Sequence, residues 1–146
     1  ITGNISDDFG ERVINFPIAE QAIVGFSIGY ALSGTPVICE IMFGDFSTLI
    51  IDQVWQHAAK FTKMYGHKVH LPLIIRTPMG GGRGYGPTHS QTLDKFLAGI
   101  DNVKIVALNS FFDPKKFLTD FLNKCDLLQA ETPLENRGFT FSKILS

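Results

Sequence analysis

The chain has 146 residues, of which 45% are hydrophobic and 18% are charged, and its net charge is -1. This composition is typical of one globular domain with a single core. A net charge close to zero gives no electrostatic reason to expect nucleic acid or an anionic membrane as a partner. The apolar runs are interrupted by Gly, Ser and charged residues, which argues against a membrane span.

Two cysteines, Cys39 and Cys125, are too few and too far apart for a disulfide scaffold or a zinc site. We therefore expect reduced thiols in a cytoplasmic protein, or in the mitochondrial matrix if the source is eukaryotic. Ile1 is not a start methionine, and no secretory signal pattern follows it. The numbered chain is accordingly expected to be a fragment of a longer protein.

Residues 1–11 are polar and are predicted to be a flexible lead-in. The predicted strands are 12–15, 35–42, 69–76 and 103–108, and the predicted helices are 19–32, 47–65, 90–99 and 114–122. Strands and helices alternate, which predicts an α/β fold of three layers, a mostly parallel sheet with helices on both faces. Gly34 and Gly66 follow the first two helices and are typical helix ends. Asp45 is predicted to be the N-cap of the second helix. Residues 126–146 show no clear periodicity, so no helix or strand is predicted for them.

Three predicted turns lie at the carboxyl ends of strands, where open α/β sheets collect their chemistry. They are the turn before Glu20, the turn at 43–46, and a loop at 77–88 that contains five glycines and ends at His89. This loop fits neither the phosphate-binding P-loop nor the dinucleotide-binding spacing. No metal site is predicted either, because the four histidines have no acidic or cysteine partners at ligand spacing.

Glu20 is the only charge in an almost wholly apolar run that extends from residue 19 to residue 32. A carboxylate placed against so much apolar surface is expected to need a specific partner. The alternative, which this window alone favours, is a carboxylate at the helix start that faces water and interacts with the helix dipole.

Six segments in fixed order carry a resemblance to a known family. They are Arg-Val-Ile-Asn-Phe-Pro-Ile-Ala-Glu-Gln-Ala (12–22), Glu-Ile-Met-Phe-Gly-Asp-Phe (40–46), Asp-Gln-Val-Trp-Gln-His-Ala-Ala-Lys (52–60), Met-Tyr-Gly (64–66), Arg-Thr-Pro-Met-Gly-Gly-Gly-Arg-Gly-Tyr-Gly-Pro-Thr-His-Ser-Gln (76–91) and Val-Lys-Ile-Val-Ala (103–107). They closely resemble the beta subunit of thiamine-diphosphate-dependent 2-oxo acid dehydrogenases of the pyruvate and branched-chain type. The resembling region is that subunit's transketolase-like pyrimidine-binding domain, which we place at residues 12–125.

The resemblance implies a role for each candidate site residue. Glu20 matches the glutamate that hydrogen-bonds the aminopyrimidine ring of thiamine diphosphate and so promotes loss of the thiazolium proton. Phe46 matches the aromatic residue that packs on the pyrimidine, and Met42 and the backbone around Ile18 match further pyrimidine contacts. His89 matches the histidine that reaches the substrate. Each of the last two assignments has a purely structural alternative. Phe46 could be an aromatic residue of the core, and His89 could serve only to fix the loop near a helix start.

The chain also departs from the family pattern. Phe16 stands where the family usually has Thr, and no Gly-Asp-Gly followed by Asn is present for magnesium and diphosphate. The resemblance therefore implies that an alpha subunit or a diphosphate-binding domain supplies that half of the site. It further implies decarboxylation of a 2-oxo acid such as pyruvate, and acyl transfer to the lipoyl group of a partner acyltransferase. Apart from the resemblance, tight self-association or association with a partner is expected at the helix face that carries Gly25 and Gly29 and at the apolar stripe of the helix at 47–65.

Three other functions remain open from the sequence. Acetoin cleavage and transketolase-type transfer of a two-carbon unit are the enzymatic alternatives within the same family. A non-catalytic assembly module that keeps the fold is the alternative from another class.

Overall fold

The computed structural model describes residues 3–107, 111 and 113–123. The unassigned segment 126–146 and Cys125 lie outside these residues. Part of the lead-in is helical, with α1 at Ile5–Phe9 and a 3-10 turn at Gly10–Arg12. The predicted strand at 12–15 is wrong, because no ladder bond joins this segment to the sheet.

Helix α2 spans Glu20–Ala31, which confirms the predicted helix to within a residue at each end. Its buried side chains form one stripe along the helix, Glu20, Val24, Ser27, Ile28 and Ala31. The helix ends in a turn in which the Ser33 hydroxyl donates to the Tyr30 carbonyl at 2.7 Å. Gly34 then takes a φ of +88°, a backbone conformation that glycine adopts without steric strain.

Strands β1 (Val37–Glu40) and β2 (Leu73–Arg76) pair in parallel, with Val37 opposite Leu73 and Glu40 opposite Arg76. Helix α2 packs on both strands. A parallel pair needs a crossover connection, and residues 41–72 supply it. The α/β class and the parallel pairing are therefore confirmed.

The crossover is helical where the sequence predicts it, but it is not one regular α-helix. It runs through a 3-10 segment at Gly44–Ile50, a π-helical segment at Gln53–His57, a 3-10 turn at Ala58–Lys60 and helix α3 at Phe61–Tyr65. Side chains compete here for backbone partners: Thr48 donates to the Asp45 carbonyl at 3.1 Å, and the His57 ring lies 3.2 Å from the Asp52 carbonyl. Such bonds disturb the regular backbone hydrogen bonding of an α-helix. They account for the mixture of 3-10 and π-helical geometry in the crossover.

The predicted helix at 90–99 is reduced to a 3-10 turn at Asp94–Phe96. Its first residues are held elsewhere, because the Gln91 carbonyl accepts a bond from the Gly80 N–H at 3.2 Å. Residues 103–107 form no strand, and position 108 lies outside the described residues. The positive φ angles of Gly99 (+85°) and Asn102 (+62°) turn the chain just before this segment. The last predicted helix is confirmed as α4, Pro114–Asn123.

The core lies between α2, the two strands and the helical crossover. Its largest fully buried side chains are Val24, Ile41, Ile50 and Pro72. Val103 and Ile105 pack against it without joining the sheet. No helix of the described part of the chain is long and apolar enough to span a membrane.

Removal of the Ile41 side chain tests this core. Ile41 follows directly after β1 and is 1% exposed, whereas Ile38, within β1, is 51% exposed. We expect Ile41→Ala to lower the free energy of unfolding by about 2–5 kcal/mol, because it leaves a cavity. The matched change Ile38→Ala should stay within about 0.5 kcal/mol. Urea unfolding of both variants measures the difference, and equal losses would contradict the assigned core.

Cys39 provides a second test, because burial raises the pKa of its thiol. The Ser27 hydroxyl opposes this through a hydrogen bond, and the Glu40 carboxylate adds to it. In a Cys125→Ser background, we expect iodoacetamide to modify Cys39 far more slowly in the folded chain than in urea. The native rate should rise only above the ordinary thiol pKa of about 8.5. Equal rates in the two states would show that Cys39 is accessible.

Candidate functional site

The segments that follow β1 and β2 remain joined beyond the strands. The Ile41 N–H donates to the Arg76 carbonyl at 2.9 Å, and the Gly44 N–H donates to the Pro78 carbonyl at 2.8 Å. A Cβ atom at Gly44 would overlap the Met79 side chain, so this approach requires glycine. The turn at 43–46 therefore lies directly beside the glycine-rich loop (residues 77–88).

His89 and Phe46, which come from separate motifs, are brought together here. The His89 ring lies edge-on to Phe46 at 5.4 Å between centroids and to Phe43 at 4.6 Å. Such edge-to-face arrangements are favourable for aromatic rings. Thr88 Oγ1 and His89 Nδ1 share a hydrogen bond of 2.8 Å. The other ring nitrogen of His89, Nε2, has no hydrogen-bond partner among the described residues.

The base of the loop is fixed by the buried Asp45. Its Oδ1 atom accepts hydrogen bonds from the Gln91 N–H at 3.3 Å and from Gln91 Nε2 at 2.9 Å. The other oxygen, Oδ2, is buried without a partner in the described part of the chain. The sequence suggests Asp45 only as a helix cap, whereas the structure uses it to hold the end of the loop two residues after His89.

Arg83 is a second residue that the sequence analysis misses. Its Nε and Nη2 atoms donate to the Gly80 carbonyl at 3.2 and 3.1 Å, and Nη2 also donates to the His89 carbonyl at 3.1 Å. The guanidinium carbon lies 5.8 Å from the Phe43 ring centroid and 5.7 Å from that of Tyr85, which are cation–π distances. The available sequence signal is that Arg83 is the only charge among the glycines of the loop.

Glu20 is the first residue of α2, which packs against the Gly44–Ile50 segment. Only 9% of Glu20 is exposed, although its carboxylate oxygens are not among the fully buried, unpartnered side-chain atoms of the described chain. Its carboxylate has no hydrogen bond or ion pair among the described residues. The residue is therefore largely enclosed, and its carboxylate oxygens remain available to a ligand. No ring contact, hydrogen bond or ion pair of the described chain joins Glu20 to His89 or Phe46.

The two remaining candidates are apolar and lie on the surface. Ile18 is 79% exposed and Met42 is 50% exposed. Phe46, in contrast, is partly buried and packs against the core. The ring of Phe16 lies 4.8 Å from that of Phe26 on α2, and Phe26 stacks on Tyr30 at 5.8 Å. Phe16 thus extends a row of aromatic rings along α2.

Comparison with known proteins supports the resemblance drawn from the motifs. Residues 2–121 match the family described as transketolase, pyrimidine binding domain. A relative from Cupriavidus necator, named acetoin:2,6-dichlorophenolindophenol oxidoreductase subunit beta, is 34% identical over 126 residues, which are 86% of this chain and 37% of the relative. The 2-oxoisovalerate dehydrogenase subunit beta of Bacillus subtilis is 35% identical over 80% of this chain and 36% of its own length. The pyruvate dehydrogenase E1 component subunit beta of Porphyra purpurea is 35% identical over 81% of this chain and 36% of its own length.

The chain spans about a third of the length of these relatives. The family match, in contrast, covers most of the chain, including both strands, the helical crossover and the glycine-rich loop. The chain belongs to the transketolase pyrimidine-binding domain family.

Proposed function

We propose that this chain is the pyrimidine-binding part of a thiamine-diphosphate-dependent 2-oxo acid dehydrogenase. The complete assembly decarboxylates a 2-oxo acid such as pyruvate and passes the acyl group to the lipoyl group of a partner acyltransferase. Family membership and the names of the relatives support this proposal.

The observation that carries the proposal is Glu20, which is only 9% exposed and has no hydrogen bond or ion pair among the described residues. An aminopyrimidine fits such a group, because its ring nitrogens hydrogen-bond and its faces are apolar. Glu20 holds a proton at a ring nitrogen, while Phe46, Met42 and the segment around Ile18 supply apolar surface. When bound, the cofactor provides the electron sink for the carbanion chemistry.

His89 acts on the substrate side. The bond with Thr88 occupies Nδ1, so Nε2 is the atom that gives or takes a proton at the substrate. An imidazole is suited to this, because each of its ring nitrogens can donate or accept a proton. The rings of Phe43 and Phe46 hold its orientation.

The proposal assigns the other half of the site to a partner. Magnesium and the diphosphate are bound by an alpha subunit or a diphosphate-binding domain, since this sequence lacks the Gly-Asp-Gly motif with its Asn. The compartment that fits the buried reduced thiol of Cys39 is the cytoplasm or the mitochondrial matrix.

Acetoin cleavage is the second candidate, and the relatives named acetoin:2,6-dichlorophenolindophenol oxidoreductase subunit beta favour it. Turnover of pyruvate, branched-chain 2-oxo acids and acetoin by the full assembly separates the two. A product formed by transfer to an aldose would indicate transketolase-type chemistry. An assembly that neither binds the cofactor nor turns over any of these would be a structural module.

Replacement of Glu20 tests the proposed role directly. Glu20→Gln keeps the size of the side chain but removes its acid–base capacity, so we expect kcat of the full assembly to fall by about 10²–10⁴-fold. The matched control is Glu11→Gln, because Glu11 is exposed in the Gly10–Arg12 turn. Circular dichroism should show an unchanged fold in both variants. Near-normal turnover of Glu20→Gln would contradict the assignment.

The proposal includes association through the outer face of α2. Gly25 and Gly29 lie on this face beside the exposed rings of Phe26 and Tyr30, and a Cβ at either glycine would meet no atom of the described chain within 4 Å. A second chain could therefore approach the backbone closely at this face.

Substitution of these two glycines separates association from folding. Gly25→Leu with Gly29→Leu should stabilise α2 by about 1–2 kcal/mol through helix propensity, yet shift the full-length assembly to smaller species in analytical ultracentrifugation. The control Gly44→Ala should instead destabilise the fold, because its Cβ would overlap Met79. Unchanged sedimentation of the double variant would exclude this face as an interface.

A further inference from the structure

Arg83 is a partly buried cation without an acidic partner in the described part of the chain. Three other cations there are paired, Arg76 with Glu40, Lys63 with Asp101, and Lys116 with Asp120. Arg12 and Lys95 also lack an acidic partner but are exposed, and Lys60 bonds to Gln56. A charge that is partly removed from water and lacks a counterion is unfavourable. An anionic ligand would remove that penalty.

The guanidinium of Arg83 is held in place by the loop itself. The Gly80 and His89 carbonyls accept bonds from Nε and Nη2. A guanidinium carries five N–H donors, and the two on Nη1 have no acceptor among the described residues. The Nη1 donors of a charged, oriented guanidinium can form charge-assisted hydrogen bonds to an anion such as a carboxylate.

This fork lies beside the proposed catalytic histidine. Arg83 and His89 contact the same ring, Phe43, with the guanidinium carbon at 5.8 Å and the imidazole centroid at 4.6 Å. Nη2 of Arg83 also donates to the His89 carbonyl at 3.1 Å. The guanidinium is therefore a direct neighbour of the residue that is proposed to act on the substrate.

We propose that Arg83 binds the carboxylate of the substrate and so selects 2-oxo acids over neutral hydroxyketones, an inference that rests on the proposed function. The bonds to Gly80 and His89 orient the guanidinium for this contact. The competing role is that of a loop staple, in which Arg83 serves only to hold the two carbonyls together. The two roles differ in one measurable property, the dependence of binding on the charge of the ligand.

The test compares pyruvate with its neutral methyl ester. Binding of each to the full assembly is measured by titration calorimetry with magnesium and a thiamine diphosphate analogue whose thiazolium ring cannot lose its proton. In Arg83→Met we expect the dissociation constant of pyruvate to rise by about 10–100-fold, the loss typical of a charged hydrogen-bonded contact, while that of methyl pyruvate changes little. Arg83→Lys, which keeps the charge but loses the fork, should lie between. The control Lys95→Met removes an exposed cation that lies over Phe96 at 5.3 Å, and should change neither constant.

Equal weakening of both ligands in Arg83→Met would overturn the proposal and leave the loop staple. So would a wild-type assembly that binds pyruvate no more tightly than its ester. In steady-state turnover, the loss should appear as a raised KM for the 2-oxo acid rather than as a lowered kcat. Absence of any 2-oxo acid turnover by the wild type, with pyruvate binding still dependent on Arg83, would refute the proposed function and keep the anion site.

Discussion

The arrangement of the site depends on the parallel register of β1 and β2. Their last residue pair, Glu40 with Arg76, is joined by a side-chain ion pair as well as by the ladder, and the pairing continues through the Gly44 N–H and the Pro78 carbonyl. A slip by one residue would turn every side chain to the opposite face of the sheet. It would also separate the turn at 43–46 from the loop that ends at His89. The register thus fixes which two loops share the site.

The glycine-rich loop is held at its ends and open in its middle. Gly80 and Asp45 both bond to Gln91, so the two ends of the loop are tied to each other and to the turn after β1. Between them, Gly82 and Gly84 have positive φ angles and face no neighbouring atom within 4 Å of a Cβ position. Loops of this kind combine fixed ends with a middle that is free to adapt to a ligand. The position of His89 is therefore set by tertiary bonds rather than by local structure.

Local patterns in the sequence were enough to predict α2, β1, β2 and α4, because each has a clear apolar period and an identifiable end. They failed where distant contacts decide the backbone. The predicted helix at 90–99 does not begin at residue 90, since Gln91 is bonded to Asp45, which lies 46 residues earlier. Residues 103–107 have an apolar pattern suited to a strand and do pack on the core through Val103 and Ile105, but without ladder bonds.

The site likewise contains residues that sequence motifs identify and residues whose contacts depend on distant parts of the chain. Glu20, Phe46 and His89 were identified through family motifs, and the structure places the last two in contact. The contacts of Asp45 with Gln91 could not be predicted, because no local rule links a residue after one strand to a residue at the end of another loop. Arg83 carried a weak signal as an isolated charge, yet its orientation depends on the fold of the loop around it.

Glu20 and Arg83 are opposite charges of limited exposure, and no ion pair joins them or neutralises either in the described chain. The Arg83 guanidinium is satisfied in part by the Gly80 and His89 carbonyls and by the rings of Phe43 and Tyr85. The carboxylate of Glu20 has no such contact among the described residues. Under the proposed function, the cofactor ring would meet Glu20 and the substrate carboxylate would meet Arg83, so binding of either ligand would also stabilise the folded chain.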